Sequence, residues 1–352
     1  MHNPTSVDKH TQRFHQQLPS ERKHGVDHSQ MHPGVHSSAL DWSEDQVLHV
    51  ACPISNPIRW QARRKLFHDF RHHMHHSPNV VLHVGELAYG DRPFDVTHAD
   101  HRYDYQFRTR HELWHKENLI NLIVQRFPPG WKYGAYIDGD LTFTRHDWAL
   151  ETIHQLQHYE WVQMFSSITD LGSKHEPHGT RGSFMYNYWN SPQQCGDYYN
   201  VPRSRREGAP GGAWAFRREA FDAVGSLLDI CILGAADSHM VLGLVGKTSE
   251  RHHEVVGCGD AYRDAILNWQ MRARVLNYNI GCVDAHVMHH WHGPKARRGY
   301  PDRWKILQRN HYNPHIDVFR DHRGVLQLSP NKPNLRDDIR AYFRQRNEDH
   351  PS

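Results

Sequence analysis

The chain is expected to fold as an α/β protein, a single domain with a mixed central sheet and helices packed on its faces. Two features predict this. Short apolar runs alternate with longer segments of helical period, and the third such run passes directly into a pair of acids. The first run, residues 47–51 (VLHVA), stops at Pro53 and gives way to a helix from about Pro57, a good first-turn residue, with Trp60, Phe67, Phe70 and the stem of Arg64 as its inner face. The second run is 80–84 (VVLHV). A second helix is expected over 108–127, with Leu119, Ile120, Ile123, Val124 and Phe127 on one stripe. The third run, 133–137 (YGAYI), leads into Asp138-Gly139-Asp140. The order β-α-β-α-β implies parallel strands and a ligand crevice at their C-terminal edge, which is where these acids fall.

Farther along, Asp147 is placed to cap a helix running to Tyr159, and 161–166 reads as a strand. Residues 168–210 are rich in Gly, Pro and aromatics without a period, and read as a binding loop or lid. A short strand is expected at 211–216, helices at 217–224, 237–245 and 260–276, and a last strand at 279–288. These elements bound one domain, 46–315, divided into halves 46–140 and 141–315. Residues 1–45, polar and His-rich, are expected to be a disordered arm. Residues 316–352 are expected to be an extension carrying one amphipathic stretch of Leu335, Ile339, Tyr342 and Phe343.

Composition excludes several classes. The formal charge is only +3 over 352 residues, so bulk charge points to neither nucleic acid nor a membrane surface. Five Cys without a C-x-x-C spacing indicate neither a zinc knuckle nor a disulfide framework, and fit a reducing compartment. No signal-peptide core or bilayer-length apolar run occurs, so a soluble, cytoplasmic location without membrane contact is expected.

Four constellations carry chemistry. Asp138 and Asp140, two apart where a strand becomes a loop, suit a shared divalent cation that bridges the phosphates of a nucleotide diphosphate; the bland alternative is a solvated turn. His289 and His292, within His289-His290-Trp291-His292-Gly293, present imidazoles at i and i+3, which beside carboxylates suits Mn²⁺ better than Ca²⁺, or else reflects the 34 His of the chain. Gly211-Gly212-Ala213-Trp214 allows close backbone approach, with the Trp214 face open to a sugar or base, and Asp237 follows either as a helix N-cap or as a general base. His111-Glu112-Leu113-Trp114-His115 matches the zinc-peptidase pattern H-E-x-x-H on an expected helix, but Asn118 and Asn121 occupy the Gly and third His positions of its longer form.

The run 211–221 (GGAWAFRREAF), then Val224-Gly225 and Gly234-Ala235-Ala236-Asp237, resembles the acceptor-side segment of the beta-1,4-galactosyltransferases. Asp138 and Asp140 are similar to that family's D-x-D, His289 and His292 to its late metal ligands, and 117–121 (ENLIN) to its donor-proximal helix. Cys52-Pro53-Ile54-Ser55-Asn56 with Arg59 resembles its nucleotide-holding loop. Asp237 stands alone where the family has an acidic cluster. Segments 90–94 (GDRPF), 289–293 and 346–349 (RNED) also resemble glycosyltransferase-like proteins of tailed bacteriophages.

The resemblance implies a GT-A fold and an inverting transfer of a sugar from a nucleotide-diphosphate donor, UDP-sugar first, with Mn²⁺ or Mg²⁺ on Asp138, Asp140, His289 and His292. Asn56, Arg59 and Asn118 would join the two acids in holding the donor. Gly212 and Trp214 would meet the acceptor, and Asp237 would be the base. The acceptor it implies is a hydroxyl on a hydroxymethylated pyrimidine of phage DNA or on a saccharide. The basic clusters Arg203, Arg205, Arg206 and Lys295, Arg297, Arg298, Arg303, Lys305 would contact DNA phosphates or the donor diphosphate. A sugar nucleotidyltransferase, which would need a Gly-rich N-terminal phosphate loop, and a non-catalytic binding protein are the competing classes.

Overall fold

The computed structural model describes residues 43–190, 208–248, 257–300 and 302–350. Arg203, Arg205, Arg206 and Cys195, and nearly all of the expected arm, lie outside the described residues.

The expected strands form: β1 (Leu48–Ser55), β2 (Val80–Tyr89) and β4 (Tyr133–Ile137). An unexpected strand, β3 (Asp104–Thr109), pairs in parallel with β2. The central sheet is completed by β6 (Trp161–Gln163), β9 (Ala213–Arg217) and β10 (Ile280–Cys282). Its order is β10-β6-β9-β4-β1-β2-β3, with β9 antiparallel to both neighbours, so the sheet is mixed. A second sheet, β5-β11-β7-β8, joins β5 (Leu141–Phe143), β7 (Ser167–Leu171), β8 (Pro177–Gly182) and β11 (His286–His289).

Alternate residues of the central strands feed two apolar layers. Leu48, Val50 and Cys52 of β1 pack with Phe67, Phe70 and Met74 of α1 (Gln61–His75) and with Trp148 and Ile153 of α3 (Trp148–Leu156). Ala51 and Tyr136 face the other layer, built on Leu119, Ile120 and Ile123 of α2 (Lys116–Val124). That layer also takes α5 (Arg218–Val224), α6 (Ala236–Leu244) and α7 (Asp260–Ala273).

Four expectations are corrected. The 108–127 helix is shorter: β3 ends at Thr109, and α2 starts only at Lys116. The intervening H-E-x-x-H segment is therefore not helical, and its imidazoles do not share a face. The His115 ring instead packs between the carbonyls of Leu113 and Leu326, 2.9 Å from each, and Glu112 pairs with Arg344. The 168–210 loop is largely regular as far as it is described, giving β7, β8 and α4 (Phe184–Asn190). The 279–288 strand splits, because the chain leaves the central sheet after Cys282 and enters the second sheet at His286. Finally, residues 316–352 are not an appendage. The hairpin β12 (Val318–Arg320) and β13 (Leu326–Leu328), α8 (Asp302–Arg309) and α9 (Pro333–Gln345) complete the second apolar layer, and Leu335 and Ile339 are fully buried there.

Candidate active site

The sheet edge after β4 carries the first cluster. The Asp138 amide donates to the Gly212 carbonyl (2.8 Å), and the Leu141 amide donates back to the Asp138 carbonyl (3.2 Å), closing a turn at Gly139. The chain then enters β5, whose Leu141 pairs with His289 of β11, while the His290 amide donates to the Asp140 carbonyl (2.9 Å). This register seats the Asp140 side chain against two imidazoles. Its Oδ2 lies 3.2 Å from His292 Nε2 and 3.7 Å from His289 Nε2, and the two nitrogens are 3.3 Å apart. His290 points elsewhere, to Thr142 Oγ1 at 2.9 Å.

A second carboxylate orients the cluster. His289 pairs in register with Asp170 of β7, and its Nδ1–H donates to Asp170 Oδ1 at 2.7 Å. That orients the ring and turns Nε2 toward Asp140 and His292, the usual support for a metal-binding imidazole, whose Nε2 proton a cation would displace. Asp170 is itself held by Lys295 and Arg181. Gly293 closes the turn at φ 88°, and a Cβ there would sit 2.9 Å from the Glu348 Cα, so the turn tolerates no side chain. Charge follows this geometry. Burial alone would raise Asp140, but His289, His292 and Arg298 hold its carboxyl far below the usual range. His289, which burial would lower, is lifted to about 9 by Asp140 and Asp170, and His292 is lowered to about 3 by burial and Arg298. Two imidazole nitrogens and one carboxylate oxygen, all within 4.8 Å of one another, fit a first-row transition ion such as Mn²⁺ better than Ca²⁺ or Mg²⁺.

Asp138 is not part of that triad. The turn at Gly139 sends it to Lys116 at the start of α2, with Nζ–Oδ1 2.5 Å. Beside them are Glu117 and Asp237. Burial raises Glu117 to about 8, Asp237 and Asp138 adding to the rise and Lys116 opposing it. Burial alone would lower Lys116, but Asp138, Glu117 and Asp237 hold it above its ordinary value. Asp237 sits in the first turn of α6, where its Oδ1 accepts its neighbour Ser238's amide at 2.8 Å. Its Oδ2 crosses so close to Gly211 that a Cβ there would lie 2.5 Å away.

Both clusters line one cavity of about 690 Å³, a size suited to a small-molecule substrate. Asp138, Asp140, Gly212, Asp237, His289 and His292 all reach it. Four expected residues do not, because the fold uses them elsewhere. Asn56 staples its own loop, accepting the Trp60 amide and donating to the Trp60 carbonyl, both at 2.9 Å. Arg59 is exposed beside Asp95. Asn118 is buried, accepting the Leu326 amide (2.9 Å) and donating to the Gly324 carbonyl and Asp229. Trp214 is 2% exposed within β9, where its indole N–H donates to the Pro210 carbonyl (2.9 Å) and so braces the glycine segment from behind.

The cavity is also lined by residues that the sequence reading gave no role of their own, Lys116, Arg63 and the pair Arg346–Glu348, with Glu117 named only within the donor-proximal helix, and Asp170 stands behind His289. Asp170 had a legible signal, an acid near the end of an apolar strand. Arg346 and Glu348 had none beyond their place in a resembling phrase. Arg298 and Arg303 of the second basic cluster are buried in the cavity wall, whereas Lys295, at the cavity rim, and Arg297 and Lys305 are exposed.

Fold and site define a mixed α/β protein with an acid–imidazole cluster at the edge of its central sheet. No protein-family description and no curated protein matches the chain. Among solved structures, it is similar to a protein of Desulfovibrio desulfuricans G20 provisionally described as a nucleotide-diphospho-sugar transferase. The two are 10% identical, with 86% of this chain and 98% of that one covered and a TM-score of 0.32. No helix among the described residues is long and apolar enough to cross a membrane.

Proposed function

We propose that the chain is a metal-dependent, inverting glycosyltransferase of GT-A type that moves a sugar from a nucleotide-diphosphate donor to a hydroxyl acceptor. The observation that carries this reading is the Asp140–His289–His292 cluster, braced by Asp170, in the cavity that also holds Asp237. Asp140, His289 and His292 would hold Mn²⁺, which when bound offsets the charge of the departing diphosphate. Asp138, tied to Lys116, faces the donor without being a metal ligand. Asp237 takes the proton of the attacking hydroxyl, held beside the glycine segment 211–212 where backbone alone approaches the acceptor. UDP-sugar is the donor class to test first.

The burial of Arg298 and Arg303 in the cavity wall favours a saccharide or small-molecule acceptor over a hydroxymethylated pyrimidine in DNA, whose backbone cannot reach them. The test is release of nucleoside diphosphate from a panel of nucleotide sugars with Mn²⁺, with saccharide acceptors and with hydroxymethylated DNA in parallel. Chelator-sensitive release supports the reading. No release from any donor, or release indifferent to chelation, contradicts it.

A further inference from the structure

One end of the cavity holds charge that forms no ion pair among the described residues. Arg298 and Arg303 are 5% and 6% exposed, line the cavity, and form no ion pair among the described residues. The Nε of each is buried without a hydrogen-bond partner. Among the described residues, Arg298 makes long contacts only, to Tyr300 Oη and the Gly293 carbonyl, both 3.4 Å. Arg303 lies over the Tyr300 and Trp304 rings. A third buried cation, Arg346, adjoins them over the Trp114 ring. The nearby carboxylate of Glu348 is already committed, to Arg63 (2.5 and 3.0 Å) and to Arg346 (2.9 Å).

A buried guanidinium without a counter-charge disfavours the folded state, so its retention in a cavity wall calls for an anion from outside. Guanidinium forks match the tetrahedral oxyanion of a phosphate, to which they donate in pairs. The position is set by the chain, because Arg298 ends the 3-10 turn Lys295–Arg298 that follows the His289–Gly293 segment. Its charge is felt at both Asp140 and His292.

We propose that Arg298 and Arg303, with Arg346 beside them, form a phosphate-binding pocket adjoining the Asp140–His289–His292 cluster and able to take a phosphate or diphosphate without a metal ion. Two sources share that chemistry. One is the diphosphate of the donor, which rests on the function proposed above; the other is a phosphate carried by the acceptor.

The probe is inorganic pyrophosphate in EDTA, followed by isothermal titration and by thermal shift against chloride at matched ionic strength. Wild-type protein is expected to bind it and to melt higher. Arg298→Gln and Arg303→Gln are each expected to weaken binding about tenfold or more, a charge-assisted contact being lost. Arg303→Gln should not lower the melting temperature of the ligand-free protein, since it removes a buried charge that has no ion pair among the described residues; Arg297→Gln, at an exposed neighbour, should change nothing. Asp140→Asn should retain metal-free pyrophosphate binding, which separates this pocket from the metal reading. Competition by UDP assigns the pocket to the donor, and simultaneous binding of UDP and pyrophosphate assigns it to the acceptor. Absence of pyrophosphate binding and of any thermal shift in wild-type protein overturns the proposal, as does unchanged binding in both arginine variants.

Discussion

At the Asp140 end of the cavity the charged groups meet opposite ones inside the protein: Asp140 with the His289 imidazolium, His289 with Asp170, Asp170 with Lys295 and Arg181. At the Arg303 end, Arg298 and Arg303 form no ion pair among the described residues, and Glu348 pairs with their neighbours Arg63 and Arg346. The two ends are also assembled differently. The first is built on adjoining strands whose register fixes the geometry, as the pairings Leu141↔His289 and His289↔Asp170 show. The second gathers α1, the turn after β11, α8 and the C-terminal residues, segments far apart in the chain. The first is a polar framework closed within the protein, and the second, under the proposal above, is completed by an anion. Preorganisation of that kind is where an enzyme places groups that must not move during reaction.

Four changes probe the contrast. The largest effect belongs to Asp140→Asn. Loss of the carboxylate that anchors the triad should cut metal-dependent nucleoside diphosphate release by about 10⁴-fold. Asp138→Asn should cost less, because Asp138 meets Lys116 and not the imidazoles; equal losses would put both acids on the metal. Next is Asp237→Asn, expected to slow transfer to acceptor by about 10³-fold while leaving UDP and Mn²⁺ binding intact. A variant that lost UDP affinity instead would make Asp237 a donor ligand.

At the other end, Glu348→Ala leaves Arg63 and Arg346 without their shared carboxylate and should cost about 4 kcal/mol of stability, read by urea unfolding. An unchanged midpoint would mean that water already screens the pair. The smallest effect lies outside both ends, in the former H-E-x-x-H segment. Burial lowers His115 to about 4, against 6.5 in an unfolded chain, despite the two carbonyls beside it. Between those values the unfolded chain binds a proton that the folded chain refuses. Stability is therefore complete above about pH 6.5 and falls as the pH drops toward 4, by at most roughly 3 kcal/mol. His83, also lowered by burial, adds in the same direction. Urea midpoints at pH 7.5 and 4.5 check this, and a flat profile would contradict the buried neutral ring.

What could be read in advance follows the same divide. Strands β1, β2 and β4 announced themselves because both their faces are buried, giving unbroken apolar runs, and Asp138 and Asp140 were visible as acids at the end of such a run. The i, i+3 imidazoles were legible because a single turn brings them together. β3 was missed because it is an edge strand whose outward positions, Gln106 and Arg108, are polar. Asn56 and Asn118 were assigned to the donor through the resemblance and Trp214 to the acceptor by its flat face, yet each is consumed by partners within the fold that no local pattern reveals. The cationic end depends on contacts such as Arg63–Glu348, 285 residues apart, and on the capping of α1 by Asp349, whose carboxylate accepts the Gln61 and Ala62 amides. Such pairings are set by the finished fold and leave no spacing to count.

The most direct test is an anomalous difference map from crystals soaked in Mn²⁺ and UDP. The account predicts one strong peak among Asp140 Oδ2, His289 Nε2 and His292 Nε2, roughly 2 Å from each, with the diphosphate density beside it. A peak elsewhere in the cavity, or bound UDP with no metal at those three atoms, would contradict it.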